Sequence, residues 1–163
     1  MPRTLIIGYG NPLRGDDGVG VRAAEWLAEE LGSLVVGGGE TPPLPGAGVE
    51  VIACQQLNIE LAAAVAEADR LILMDASAGG TPGVLTEHTL APVSPPQTGA
   101  SLSHYLHPAS LLATAQILYG KAPPATLLTI SGAAFDHGET LSPPVAAALP
   151  RLVARVRQLV GQA

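Results

Sequence analysis

Short runs of aliphatic residues alternate along this 163-residue chain with segments whose apolar residues recur at helical spacing. Strands are predicted at 4–10, 49–54, 70–76, 81–90 and 125–132, and helices at 19–31, 59–68, 108–120 and from Ser142 onward. Strands that alternate with helices favour a mainly parallel twisted sheet with helices on both faces. The predicted fold class is therefore α/β, a single three-layer domain over residues 1–163. The Gly- and Pro-rich stretch 32–48 is predicted to be a flexible loop.

Proline and glycine mark the predicted ends of several helices. Pro108 is expected to begin the third helix and Gly120 to end it, because proline suits a first turn and glycine a C-terminal cap. Prolines at 143–144 are placed in the first turn of the last helix, which Pro150 is predicted to kink. On the first helix, helical spacing predicts one core-facing side made of Val19, Ala23, Trp26, Leu27 and Leu31.

Charge and composition narrow the classes of partner. Eight basic residues against fourteen acidic ones give a net charge of −6, so the chain lacks the basic surface that nucleic acid or an anionic membrane requires. No apolar run reaches the roughly 18 residues of a membrane span, and the first residues lack the apolar run of a secretion signal. We therefore expect a cytoplasmic protein that binds neither nucleic acid nor membrane. No long apolar helix face requires a partner, so we also expect a monomer.

The stretch LIIGYGNPLRGDDGVGVRAAEWL, residues 5–27, looks like a nucleotide-binding glycine loop but departs from both common motifs. Leu13 takes the place of the third glycine of the dinucleotide fingerprint, and Asp16 and Asp17 stand where a phosphate loop has Lys and Ser or Thr. A phosphate would meet like charge there, at a cost of roughly 1 to 4 kcal/mol at a distance near 4 Å. The loop is therefore predicted to face a cation rather than a phosphate.

Three side chains are predicted to meet at the carboxyl ends of the strands, where sites form in open α/β sheets. Asp17 follows the first strand, Asp75 ends the third, and His104 lies in the loop before the third helix. Two carboxylates and an imidazole suit a first-row divalent ion and leave coordination positions open. Each residue type also has a structural alternative: Asp16 can cap a helix, an acid can simply end a buried strand, and a loop histidine can be solvated.

Four stretches together resemble the nickel–iron hydrogenase maturation endopeptidases: the string at 5–27, RLILMDA at 70–76, SHYLHPASLLATAQILYG at 103–120 and GETLSPPVAAALP at 138–150. The resemblance implies a cytoplasmic, aspartic-type endopeptidase that removes the C-terminal extension of the hydrogenase large-subunit precursor after nickel insertion, and so activates the hydrogenase. The nickel is expected to arrive with the precursor, and other divalent ions are expected to replace it in vitro.

Carried over residue by residue, the resemblance implies that Asp17, Asp75 and His104 contact the metal and form the catalytic site. Asn11 and Asp16 are expected to bind substrate or to position the loop. Relatives commonly have Glu at the first of these ligand positions. Because Asp17 is one methylene shorter, the geometry or the preferred ion is expected to differ.

The other histidines compete weakly for the role of third ligand. His107 lies three residues after His104, but its place directly before Pro108 suits a helix entry. His88, in an exposed strand, and His137, in a late loop, are expected to be surface residues.

The turn after the second predicted strand departs from the family pattern. Many relatives have an acidic, glycine-rich turn there, whereas this chain has Cys54, Gln55, Gln56 and Leu57, which indicates a subgroup with a different precursor. Cys54 is the single cysteine and excludes an internal disulfide. A nucleophilic role for it is open, but no basic neighbour in sequence lowers its thiol pKa, and a small buried core residue is the expected role.

The sequence leaves open whether the metal acts as a Lewis acid, as an activator of water or as a recognition handle. Two other functions also stay open: a non-catalytic, metal-sensing or chaperone-like module that binds the same precursor, and an unrelated small-molecule hydrolase. If His104 is a ligand, acidification below a pKa near 6.5 weakens metal binding. An affinity that does not change down to about pH 5 would argue against this histidine.

Overall fold

The α/β fold predicted from the alternation of strands and helices is present in a computed structural model, which describes residues 2–31, 35–36, 48–92 and 106–161. Its elements in chain order are β1 (Thr4–Tyr9), α1 (Val19–Leu31), β2 (Val35–Val36), β3 (Val49–Cys54), α2 (Ala62–Glu67), β4 (Arg70–Ser77), β5 (Leu85–Leu90), α3 (Pro108–Tyr119), β6 (Ala125–Ser131) and α4 (Pro143–Gly161). Short 3₁₀ turns at Gly15–Gly18 and Ile59–Leu61 precede α1 and α2.

The described strands form one sheet in the order β2-β3-β1-β4-β6-β5. The pairs β2–β3, β3–β1, β1–β4 and β4–β6 are parallel, and β5 pairs antiparallel with β6. Strand β1 lies in the interior of the sheet, where Thr4 is opposite Val49 on one side and Arg70 on the other. The parallel strands all end at the same edge of the sheet, which we term the carboxyl edge.

Alternate strand positions enter two apolar cores, one on each face of the sheet. Helices α1 and α4 cover one face, whereas α2 and α3 cover the other. Strand side chains of the first core include Ile6, Val51, Ile72, Met74, Leu128 and Ile130, and those of the second include Leu5, Ile7, Ile52, Leu71 and Leu73. Complete burial of an aliphatic side chain of this size stabilises the folded state by about 1.5 to 3 kcal/mol relative to leaving the side chain exposed. This is the predicted three-layer arrangement.

Helix α3 begins at a proline and ends at a glycine, as predicted. Pro108 occupies the first turn, and Gly120 ends the helix in the left-handed region at φ 73°, which favours a residue without a side chain. Helix α4 begins at Pro143 and continues past Pro150 to Gly161. The kink at Pro150 stays a prediction.

Helix α1 packs unusually close to the sheet because glycines face each other across the contact. A Cβ atom at Gly8 would lie 2.0 Å from the carbonyl oxygen of Gly20, and a Cβ atom at Gly20 would lie 2.3 Å from the carbonyl oxygen of Met74. The helix therefore rests directly on the backbone of β1 and β4. This contact fixes the start of α1, and the turn Gly15–Gly18 before it, against the carboxyl edge.

The fourth predicted strand, 81–90, is shorter than expected and belongs to the edge of the sheet. Residues 81–84 form a turn in which the Val84 N–H donates to the Thr81 carbonyl at 3.2 Å. Gly83 has φ 86°, which is not a strand conformation. Strand β5 therefore begins only at Leu85 and runs antiparallel to β6.

Three further expectations differ in detail. The helix predicted at 59–68 begins as a 3₁₀ turn, with the Asn58 side chain accepting from the Glu60 N–H at 3.0 Å, before α2 proper. On α1, Leu31 is 44% exposed rather than core-facing, because it lies in the last turn beyond the packed part of the helix. Within the predicted loop 32–48, β2 pairs with β3, and most of the remaining loop lies outside the described residues.

Two surface features bear on the expected partners. Within the described ranges, no helix combines the length and the apolarity needed to cross a membrane. At the end of α3, Ile117, Leu118 and Tyr119 are 75%, 56% and 55% exposed, which makes a short apolar patch. The monomeric state stays a prediction.

Candidate metal centre

The two acids singled out in the sequence lie at a switch point of the sheet. The chain passes from β1 to β3 by way of α1 on one face, and from β3 to β4 by way of α2 on the opposite face. Strands β1 and β4 are consequently neighbours whose connections leave in opposite directions. A crevice forms at such a point outside the carboxyl ends of the strands, where α/β proteins bind their ligands.

Asp17 is held at this crevice by the loop that follows β1. Its Oδ2 accepts the Asn11 N–H at 2.8 Å, and Asn11 Oδ1 accepts the Leu13 N–H at 2.9 Å, which closes a tight turn. Gly10 has φ 136°, and a Cβ atom there would lie 1.9 Å from the carbonyl oxygen of Asp17. The loop therefore requires glycine at position 10. The backbone N–H of Asn11 holds the Asp17 carboxylate, whereas the side chain of Asn11 stabilises the loop.

Asp75 lies near the end of β4 on the side of the sheet that α2 and α3 cover. Its Oδ1 accepts the Ala76 N–H at 2.7 Å, and the Tyr9 hydroxyl also donates to this carboxylate. Burial and, to a smaller extent, the negative charge of Asp17 raise the carboxyl pKa to about 7, although the two hydrogen bonds act in the opposite direction. A group with this pKa is partly protonated at neutral pH.

The negative charge of Asp17 acts on the pKa of Asp75, so the two carboxylates lie close enough to interact. Two ionised carboxylates at short distance repel each other, and a cation bound between them would remove this repulsion. Among the residues that the structure describes, no group of three or more His, Cys, Asp and Glu side chains is placed to hold a metal ion. A metal ion at the two acids would therefore require at least one more ligand, from other parts of the chain or from a bound partner.

His104 lies outside the described residues, so its place in the site stays a prediction. The described chain resumes at Leu106, whose N–H donates to the Leu57 carbonyl at 3.4 Å, just after β3 ends at the carboxyl edge.

Asp16 faces away from Asp17, into the protein, and is fully buried. Its carboxylate accepts the backbone N–H groups of Ala133 at 2.7 Å, Ala134 at 2.9 Å and Ser142 at 2.7 Å, and the Ser142 hydroxyl at 2.7 Å. Burial alone raises the carboxyl pKa, but these hydrogen bonds outweigh it and hold the pKa below its usual value. Rather than capping its own helix, Asp16 ties the β1–α1 loop to the start of α4.

The remaining candidates lie where the sequence placed them. His88, His107 and His137 are exposed, and His107 directly precedes α3 without a side-chain capping bond. Cys54 is buried, and burial raises its thiol pKa to about 11 even though the Gln56 N–H hydrogen bond lowers it. The thiol is therefore neutral at physiological pH and behaves as a core residue rather than a nucleophile.

Tyr9 is the residue of this site that the sequence reasoning missed. It ends β1, opposite Cys54 in β3, and its hydroxyl contacts Asp75 on β4, the neighbouring strand on the other side. The available signal was a tyrosine between two glycines at the end of a buried strand, in a chain that is only 3% aromatic.

Solved structures of known proteins share this architecture over nearly the whole chain. The [NiFe] hydrogenase maturation protease HycI from Thermococcus kodakarensis matches with a TM-score of 0.69 and 23% identity, over 98% of this chain and 93% of that chain. The hydrogenase maturating endopeptidase HybD from E. coli matches with a TM-score of 0.70 and 24% identity, over the same shares. The chain has the fold of the hydrogenase maturation proteases.

An endopeptidase from Escherichia coli, solved in solution, agrees with this result at a TM-score of 0.67 and 25% identity, over 94% of this chain and 89% of that chain. The α/β fold and the resemblance to hydrogenase maturation endopeptidases are thereby confirmed. All three neighbours are named as a protease or an endopeptidase, which supports the prediction of a peptidase. No family model and no curated protein matches the chain.

Proposed function

We propose that this chain is a cytoplasmic endopeptidase that removes the C-terminal extension of a nickel–iron hydrogenase large-subunit precursor after nickel has been inserted. One observation supports the proposal: Asp17, in the turn between β1 and α1, lies close enough to Asp75, near the end of the adjacent strand β4, for its charge to raise the Asp75 pKa, in a chain that shares the fold of hydrogenase maturation proteases. Both residues belong to the stretches that resemble this family in the sequence.

The two carboxylates and the His104 imidazole grip the nickel that the precursor carries. Asp17 Oδ2 and Asp75 Oδ1 each accept a backbone N–H, and these bonds orient both carboxylates while leaving lone pairs for a cation. Nickel neutralises two acids that otherwise repel each other, so the precursor with nickel binds better than the precursor without it. The metal thus acts as the recognition handle.

Binding at the nickel positions the scissile peptide against the carboxyl edge. Hydrolysis adds water to the peptide carbonyl carbon, breaks the C–N bond and releases the extension with a protonated amine. Holding the peptide in one orientation can supply a large part of the rate enhancement. The nickel-free precursor lacks this anchor and is therefore not cut.

The test mixes the purified protein with nickel-loaded and nickel-free precursor and follows the mass of the large subunit. Wild-type protein should shorten only the loaded precursor. Asp17→Asn and Asp75→Asn should each slow this cleavage at least about 100-fold, the upper range for loss of a metal-site group. Glu29→Gln, an exposed acid on α1, is the matched control and should cut at the wild-type rate.

Three results would contradict the proposal. Cleavage of the nickel-free precursor at the same rate would mean that the acids work without the metal, as an acid–base pair. An unchanged mass together with a tight complex would identify a non-catalytic binding module instead. Full activity in both Asn variants would show that these two acids do not form the catalytic site.

A further inference from the structure

The end of β1 brings an aromatic hydroxyl to the acid on β4. Leu5 and Ile7 of β1 enter the core beneath α2 and α3, so Tyr9, two positions on, lies on the same face. Leu71 and Leu73 of β4 enter that core as well, which places Asp75 on this face beside Tyr9. The Tyr9 ring packs at the margin of the core, and its hydroxyl donates to the Asp75 carboxylate.

Two donors therefore hold Asp75 from different elements. The Ala76 N–H comes from β4 itself, at 2.7 Å from Oδ1, whereas the Tyr9 hydroxyl comes from the neighbouring strand. A carboxylate has about four lone-pair positions, so both bonds can form while positions stay free for a cation. The phenol is a hydrogen-bond donor near neutral pH, as any tyrosine hydroxyl is.

We infer that Tyr9 is a positioning residue for the metal site: its hydroxyl sets the orientation of the Asp75 carboxylate toward the divalent ion. This inference rests on the proposed function, because it requires Asp75 to be a ligand. Hydrogen bonds to ligating carboxylates fix their direction, and their loss costs about 10- to 100-fold in metal affinity or activity. Tyr9 supplies such a bond from a rigid strand rather than from a loop.

The test measures the affinity of the purified full-length chain for Ni²⁺ alone by calorimetry, without precursor. Tyr9→Phe removes one hydroxyl and keeps the ring in the core, and it should weaken Ni²⁺ binding about 10- to 100-fold. Tyr119→Phe is the matched control, since Tyr119 is 55% exposed at the end of α3, and it should bind as the wild type does. Near-ultraviolet circular dichroism checks that both variants are folded.

A double-mutant comparison separates positioning from general loosening of the structure. In an Asp17→Asn background, where Asp75 is intact, Tyr9→Phe should weaken Ni²⁺ binding further by a similar factor. In an Asp75→Ala background it should change the affinity less than about twofold, because the side chain that Tyr9 orients is gone. A structural role of Tyr9 would weaken binding equally in both backgrounds and would overturn the inference.

The failure of this inference can be told from the failure of the proposed function. If both Asp variants lose Ni²⁺ affinity but Tyr9→Phe binds within twofold of wild type, only the role of Tyr9 is wrong. If both Asp variants bind Ni²⁺ as the wild type does, the metal site itself is wrong, and the inference about Tyr9 falls with it.

Discussion

Asp75 is a half-buried acid beside a second acid, and this environment disfavours the ionised form of its carboxyl group. The raised pKa means that the native state holds the proton of Asp75 more tightly than the unfolded chain does. The corresponding stability is fully present below the unfolded pKa near 3.9 and is lost as the pH rises to about 7. Above that pH the ionised Asp75 carboxylate destabilises the native state.

Asp75→Asn should therefore stabilise the protein at pH 8 in the absence of metal, by on the order of 2 kcal/mol. Asparagine keeps an acceptor for the Tyr9 hydroxyl and the Ala76 N–H but carries no charge. At pH 3.5 the difference should nearly vanish, because Asp75 is then mostly protonated in the native and in the unfolded state. Urea denaturation with a chelator at both pH values, with Glu29→Gln as control, measures this; a variant less stable than wild type at pH 8 would refute it.

The loop after β1 works as one unit with the loop after β6. Besides the four bonds to the Asp16 carboxylate, the Gly15 N–H donates to the Gly138 carbonyl at 2.8 Å and the Gly138 N–H donates to the Leu13 carbonyl at 2.7 Å. These bonds brace the turn that carries Asp17. The stability of this element and the placement of Asp17 are therefore coupled.

Asp16→Ala should lower the free energy of unfolding by about 3 kcal/mol or more, because it leaves several buried donors unsatisfied. Because the native pKa of Asp16 is lowered, its contribution is present above the usual carboxyl pKa and is lost as the pH falls through the native value. The deficit of an Asp16→Asn variant should accordingly shrink below about pH 4.

The matched control is Asp136→Asn, which changes an exposed acid of the β6–α4 loop and should stay within about 0.5 kcal/mol of wild type. Urea unfolding of all three variants at pH 7 and pH 3.5 gives the comparison. An Asp16→Ala variant as stable as the control would show that the two loops are not tied in this way.

At the scale of the whole molecule, local sequence patterns predicted the three layers of helices and sheet, but they predicted the pairing of the strands only in part. Aliphatic runs and helical spacing carry the information for the sheet, for its two covered faces and for both ends of α3, because these depend on neighbouring residues. The antiparallel direction of β5 was not visible, since a strand pattern does not say which strand is its partner.

The site shows the same division between local and long-range information. The proximity of Asp17 and Asp75 could be predicted because acids after buried strands of a parallel sheet collect at one edge. The different roles of Asp16 and Asp17 depend on which side of a turn each faces, and the bond from Tyr9 depends on the register between β1 and β4. Neither is encoded in residue type or spacing.

The most direct test of the central claim is anomalous diffraction at the nickel edge from crystals of this chain grown with Ni²⁺. We predict one ion at about 2.0–2.2 Å from a carboxylate oxygen of Asp17, an oxygen of Asp75 and a nitrogen of His104, distances typical of such ligands. An ion bound elsewhere, or the two carboxylates more than about 10 Å apart with no shared ion, would contradict the account.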